Sequence, residues 1–127
     1  MQDDRGRRLA SRMKWAGRIL ASIAASWWIA VLGGEAVGCD PGPFTWEATT
    51  VVALGLVAIV GAALSWLRLH AAAIVLLVTS VLFGIHIAVF AGSNHLLAWL
   101  AVGFPYLIAA SLLLGSLRLL DSDSENP

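Results

Sequence analysis

The side chains able to do chemistry in this sequence are few: Glu35, Asp40, Glu47, His70, His86, His95 and Cys39. Glu35, Glu47, His86 and His95 together supply two carboxylates and two imidazoles. Such a set could ligate a divalent metal, relay protons, or hold a cation or a quinone. The spacing does not favour a metal, since no HxxxH, ExxH or HExxH pattern occurs. His70 and His86 fall at different depths of one apolar stretch, which argues against paired axial haem ligands. The signatures G-x-x-x-x-G-K-[ST], G-x-S-x-G and paired CxxC are absent. Cys39 is single, so it has no internal disulfide partner and reads as a free thiol. Residue types alone therefore point to no enzyme and no cofactor.

The elements that must position these residues are set by composition. Of 127 residues, 59 % are hydrophobic and 13 % charged. Ordinary soluble domains run about 45–50 % apolar and about 25 % charged. A chain this short cannot bury the surplus in its own core, so lipid must cover it. Eight basic residues against eight acidic ones leave no net field for nucleic acid. A membrane-spanning helix needs roughly 20 mostly apolar residues, and four such stretches fit: about 16–36, 46–67, 71–91 and 95–117. Gly38-Cys39-Asp40-Pro41-Gly42-Pro43, Arg68-Leu69-His70 and Gly92-Ser93-Asn94 connect them. Proline fixes φ and glycine permits φ > 0 in these turns, and Thr45 and Asn94 suit N-caps. Connections this short lay successive helices side by side in opposite directions. The expected fold is all-α, an integral membrane up-down-up-down four-helix bundle.

Orientation follows from the cations. Arg5, Arg7, Arg8, Arg12, Lys14 and Arg18 precede or open the first helix, Arg68 sits in the second connection, and Arg118 follows the fourth helix. All fall on one side if both termini share it. By the positive-inside rule that side is the cytoplasm, giving a multi-pass protein of the cell membrane with both ends inside. Residues 1–15 then form a basic cytoplasmic segment, 16–117 the bundle, and 118–127 a polar, frayed cytoplasmic tail. Ala36-Val37-Gly38-Cys39 loosely resembles a lipoprotein cleavage box. Ala36 is a poor start for one, and Gly33-Gly34-Glu35 interrupts the apolar run before it, so the first helix is expected to be retained.

On this topology Glu35 ends the first helix at the outer side, while Glu47 and His95 begin helices there. Cys39 and Asp40 lie in the outer turn, and His70 lies on the cytoplasmic side. His86 stands about 8 Å below the outer end of its helix, and an ionisable group at such depth is a functional-site hypothesis by default. Glu35, Glu47, His86 and His95 thus make a candidate proton, cation or metal site at the outer mouth. A plainer reading competes with it. Glu47 in a first helical turn is favoured by the helix dipole, Glu35 and His95 reach water, and a neutral His86 can bond a carbonyl, Thr79 or Glu35.

Lipid gives helices no hydrophobic reason to associate, so small residues that let backbones approach matter more. Ser22, Ser26, Ala30 and Gly34 form one such stripe on the first helix, and Ser80, Gly84, Ala88 and Gly92 another on the third. Shorter pairs are Ala58 with Ala62 and Ser111 with Gly115. These stripes are expected to pack the bundle, any surplus stripe facing outward to a partner helix. Pro105 removes a backbone donor and frees the Ala101 carbonyl, so a kink is expected there. Trp15, Trp46 and Trp66 read as interfacial anchors, while Trp27, Trp28 and Trp99 lie deeper, as core filling or as an aromatic floor for a ligand.

Gly33-Gly34-Glu35, Leu64-Ser65-Trp66-Leu67-Arg68 and Phe104-Pro105-Tyr106-Leu107-Ile108 carry a resemblance spanning about Ile19 to Leu120. The chain resembles small four-helix integral membrane proteins of bacteria and archaea grouped as domains of unknown function. Leu69-His70 replaces their more usual acidic or glycine-rich elbow, and no activity follows from the resemblance. The expected role is a non-enzymatic subunit or accessory bundle whose partners are the bilayer and other membrane helices, its own copies included. The alternative is a transporter or channel component using the outer Glu/His site.

Overall fold

The computed structural model describes residues 2–37 and 45–125, omitting the side chains of Gln2, Asp3, Glu35, Ala36, Val37 and Asp123. The described residues are helical apart from short connections: α1 (Gln2–Val37), α2 (Trp46–Leu67), α3 (Leu69–Phe90), α4 (His95–Val102) and α5 (Phe104–Ser124). Four helices are long and apolar enough to cross a membrane, within Asp4–Gly34, Trp46–Leu67, Leu69–Phe90 and Phe104–Ser122. The 22 residues of α2 and of α3 make rods of about 33 Å, close to the roughly 30 Å hydrocarbon layer.

Three boundaries differ from the sequence expectation. The basic segment is not separate from the first span, because no proline stands between Gln2 and Val37. α1 is therefore one 36-residue helix, about 54 Å long. Residues 118–124 likewise continue α5 instead of fraying. The fourth stretch is divided at Gly103, two residues before Pro105.

Local chemistry explains the turns. Thr45 caps α2 by accepting a hydrogen bond from the Ala48 N–H at 3.2 Å. Asn94 occupies the matching position before α4 but makes no side-chain cap. Between α2 and α3 the elbow shrinks to Arg68 alone: its N–H donates to the Leu64 carbonyl and its own carbonyl accepts from Ala72. After α3 the chain reverses through Gly92 at φ +58°, a left-handed conformation that glycine adopts without cost.

α1, α2, α3 and α5 pack in a ring, each against the next and α1 against α5, while α4 leans on α3 and α5. Neighbours meet with residue numbers running oppositely: Arg18 reaches Ser65 and Gly55 meets Trp28. Thr50 likewise meets His86, and Gly61 meets Leu76. The core is built on small side chains, Ala21, Ala25, Ala58, Ala62, Ala72, Ala73, Ala109 and Ala110, around Leu76, Phe83, Tyr106 and Leu113. Trp28, Phe83 and Tyr106 stack in series at centroid distances of 5.3 and 6.0 Å. The outer surface is the opposite, with Ile23, Trp27, Leu67, Val89, Leu96 and Leu97 all exposed.

The stripes sort unevenly. Ala58 and Ala62 are buried, and Ser80 and Gly84 pack beneath Trp99. Ala88, Gly92 and Ser111 are exposed, and Gly115 is half-buried against Met13. In α1 the inward face is Gly17, Ala21, Ala25 and Trp28. The Ser22 stripe, one position over, is rotated outward: Ser22 lies half-buried beside Trp66, while Ser26, Ala30 and Gly34 are exposed.

Candidate functional site

The end of the bundle that carries the starts of α2 and α4 holds the candidate chemistry. A cavity of about 250 Å³ there is walled by Trp28, Phe83, Phe90 and Val102, with Glu47 and His86 contributing its polar groups. Glu47 comes from the first turn of α2, where the helix dipole favours a carboxylate. His86 lies one turn from the end of α3, which places it opposite the first turns of α2.

The imidazole is held by a residue that sequence reasoning did not select. His86 Nδ1 lies 3.0 Å from Thr50 Oγ1. That hydroxyl also lies 3.0 and 2.9 Å from the Trp46 and Glu47 carbonyls. A hydroxyl has one proton to give. Where it serves the helix carbonyls, Nδ1–H must donate to Thr50, leaving the Nε2 lone pair open to take a proton or a cation. Phe90, one turn on, packs its ring 4.8 Å from the imidazole and fixes its tilt. His86 also borders an outward-facing apolar groove of about 300 Å³ between α2 and α3, with Leu54, Leu82, Ile85 and Val89.

Of the four expected site residues, the structure brings two together. Glu47 and His86 share the cavity. His95 turns away and places Nδ1 3.0 Å from the Ile87 carbonyl, tying the start of α4 to the end of α3. The Glu35 side chain, Cys39 and Asp40 lie outside the described residues. Thr79, considered as a partner for His86, instead bonds the Val75 carbonyl, and His70 is exposed at the start of α3. No group of three or more His, Cys, Asp or Glu stands together among the described residues.

At the opposite end Arg18 does more than count as a charge. Its Nε donates to the Ser65 carbonyl at 2.7 Å. Its guanidinium lies 5.2 Å from the Trp66 ring and 5.8 Å from Trp15, which meet edge to face at 5.5 Å. Trp66 also donates to Ser22 Oγ at 3.3 Å. This is a clasp in which an aliphatic stem crosses apolar surface and the charge rests between two indoles. Trp15 with an arginine one turn on, and Trp66 beside the elbow at Arg68, were the available signal.

The break in the fourth stretch is pinned rather than loose. Trp99 donates its indole N–H to the Ser80 carbonyl at 3.1 Å, and its ring fills the space beside Gly84 and Gly103. Comparison with protein-family models, with curated proteins and with solved structures gave no match to this chain.

Proposed function

We propose that this protein is a non-enzymatic membrane subunit that works by helix–helix association within the bilayer. The chain threads up-down-up-down, with both termini on the cytoplasmic side of the cell membrane. The opposed contacts of neighbouring helices support that threading. So does the basic first third of α1, which would stand among cytoplasmic headgroups. The proposal also places the chain with the small four-helix membrane proteins that its motifs resemble.

One observation carries the role. α1 spends one small-residue face, Gly17, Ala21 and Ala25, on its own bundle and leaves a second outside. Ser26, Ala30, Gly33 and Gly34 are exposed, and a Cβ added at Gly33 or Gly34 would meet nothing within 4 Å. The Ser26 hydroxyl is satisfied within the helix, 2.8 Å from the Ser22 carbonyl, so the small residues can meet another helix without leaving a polar group unpaired. Cysteine placed at Ser26, Ala30 or Gly34 in a Cys39→Ser background should crosslink to a second copy or a partner in native membranes. Cysteines at Ala21 and Ala25, which face into the bundle, should not. Monomers at every position would contradict the role.

The shared cavity of Glu47 and His86 favours a second reading, a proton or cation site in a transport assembly. Flux in proteoliposomes that is lost in both His86→Ala and Glu47→Gln would promote it. Flux that survives both removes these residues from the mechanism.

A further inference from the structure

The α4–α5 break holds a second cavity, about 210 Å³, between α1 and the break, walled by Trp27, Trp28, Ala101, Val102, Pro105 and Tyr106. Two features of it are unsatisfied. Tyr106 is 1 % exposed, and its hydroxyl has no hydrogen-bond partner. The Trp28 indole stands beside that hydroxyl without reaching hydrogen-bond geometry. The backbone at the break is also short of donors. Residue 105 is proline and has no N–H for the Ala101 carbonyl, and the Tyr106 N–H goes to Gly103 at 3.2 Å instead of to Val102. In hydrocarbon each unpaired polar group costs several kcal/mol, so a hydroxyl and two carbonyls left without partners call for an occupant.

The walls fix what that occupant is. They carry no charged side chain, so an ion would enter uncompensated. The smallest uncharged group that both accepts from Tyr106 O–H and donates to the Ala101 or Val102 carbonyl is a hydroxyl. The volume far exceeds the roughly 30 Å³ that one water occupies in the liquid, leaving room for an attached alkyl chain. Trp27, exposed to two thirds of its surface, edges the opening, so entry is lateral, from the bilayer. We propose that the break is a binding site for a neutral alcohol, its hydroxyl bridging Tyr106 and a freed carbonyl. Water alone supplies the same chemistry as a second source. The site lies apart from the Ser26–Gly34 face, so failure of either proposal leaves the other standing.

Tyr106 is the only tyrosine in the chain, so the Fermi doublet of tyrosine in the ultraviolet Raman spectrum reports its hydroxyl alone. In lipid nanodiscs the doublet should show a bonded hydroxyl. A photoreactive aliphatic diazirine alcohol should label residues 101–106 or the Ala24–Trp28 turn. Butanol should compete saturably and chlorobutane should not. Tyr106→Phe should keep the fold, since its hydroxyl bonds no protein group, and should weaken butanol competition roughly two- to tenfold, the worth of one neutral hydrogen bond. Ala24→Phe, filling the cavity, should abolish labelling. A bonded hydroxyl without saturable alcohol labelling assigns the bridge to water and overturns the alcohol site. An unbonded hydroxyl with no saturable labelling overturns it.

Discussion

A methyl group added at Gly55 would meet the Trp28 ring at 2.8 Å, and one added at Gly115 would meet the Met13 methyl at 2.5 Å. The shorter contact is the cheaper one. Met13 ends in a flexible thioether that can move aside, whereas Trp28 is stacked on buried Phe83. Gly55→Ala should cost about 1–3 kcal/mol and Gly115→Ala under about 1 kcal/mol, read as the difference in thermal unfolding in detergent micelles. Equal losses would contradict this packing. The His86–Thr50 contact makes a separate demand. In Thr50→Val the imidazole loses its side-chain partner, and ¹⁵N NMR of His86 should move away from the Nδ1–H tautomer without loss of fold. His86 as a candidate was legible in the sequence, because an imidazole in an apolar run stands out. Thr50 was not, since the two residues are 36 apart and their meeting depends on the register between α2 and α3. Tyr106 was equally hidden, because its isolation follows from where the break falls.

Element existence was readable and element faces were not. Apolar runs between turn residues marked four spans, and the structure has four helices that meet that requirement. Hydropathy ends where charges begin, but charged side chains do not by themselves end a helix, so α1 runs back through the basic segment. Small residues in α1 occur at two adjacent offsets, 21 and 25 beside 22 and 26. Their spacing alone could not say which face turns inward. The division at Gly103 reflects two neighbours acting together: Pro105 withholds a donor, and Trp99 occupies the space a side chain would need. Gly103→Ala would place a Cβ 2.5 Å from Trp99 Nε1 and drive the indole off the Ser80 carbonyl. A loss of roughly 1–3 kcal/mol with altered Trp99 fluorescence is expected, measured against a Trp99→Phe control. Unchanged stability and emission would mean that the break does not depend on this contact.

Across the whole molecule, a core of alanines and a shell of leucine, isoleucine, valine and tryptophan invert the usual soluble arrangement. Close backbone approach holds the inside, and the apolar outside requires a hydrocarbon neighbour. Everything proposed for Glu47, His86, Ser26–Gly34 and Tyr106 depends on that neighbour and on which ends of the helices share a side. The chain carries a single cysteine, Cys39, in the connection between α1 and α2, which makes the test direct. A membrane-impermeant maleimide applied to sealed cells should modify native Cys39. It should modify Ser11→Cys or Ser122→Cys, each in a Cys39→Ser background, only after the membrane is opened. Reaction at either terminal position in sealed cells, or a protein that stays monodisperse in buffer without detergent, would contradict the account.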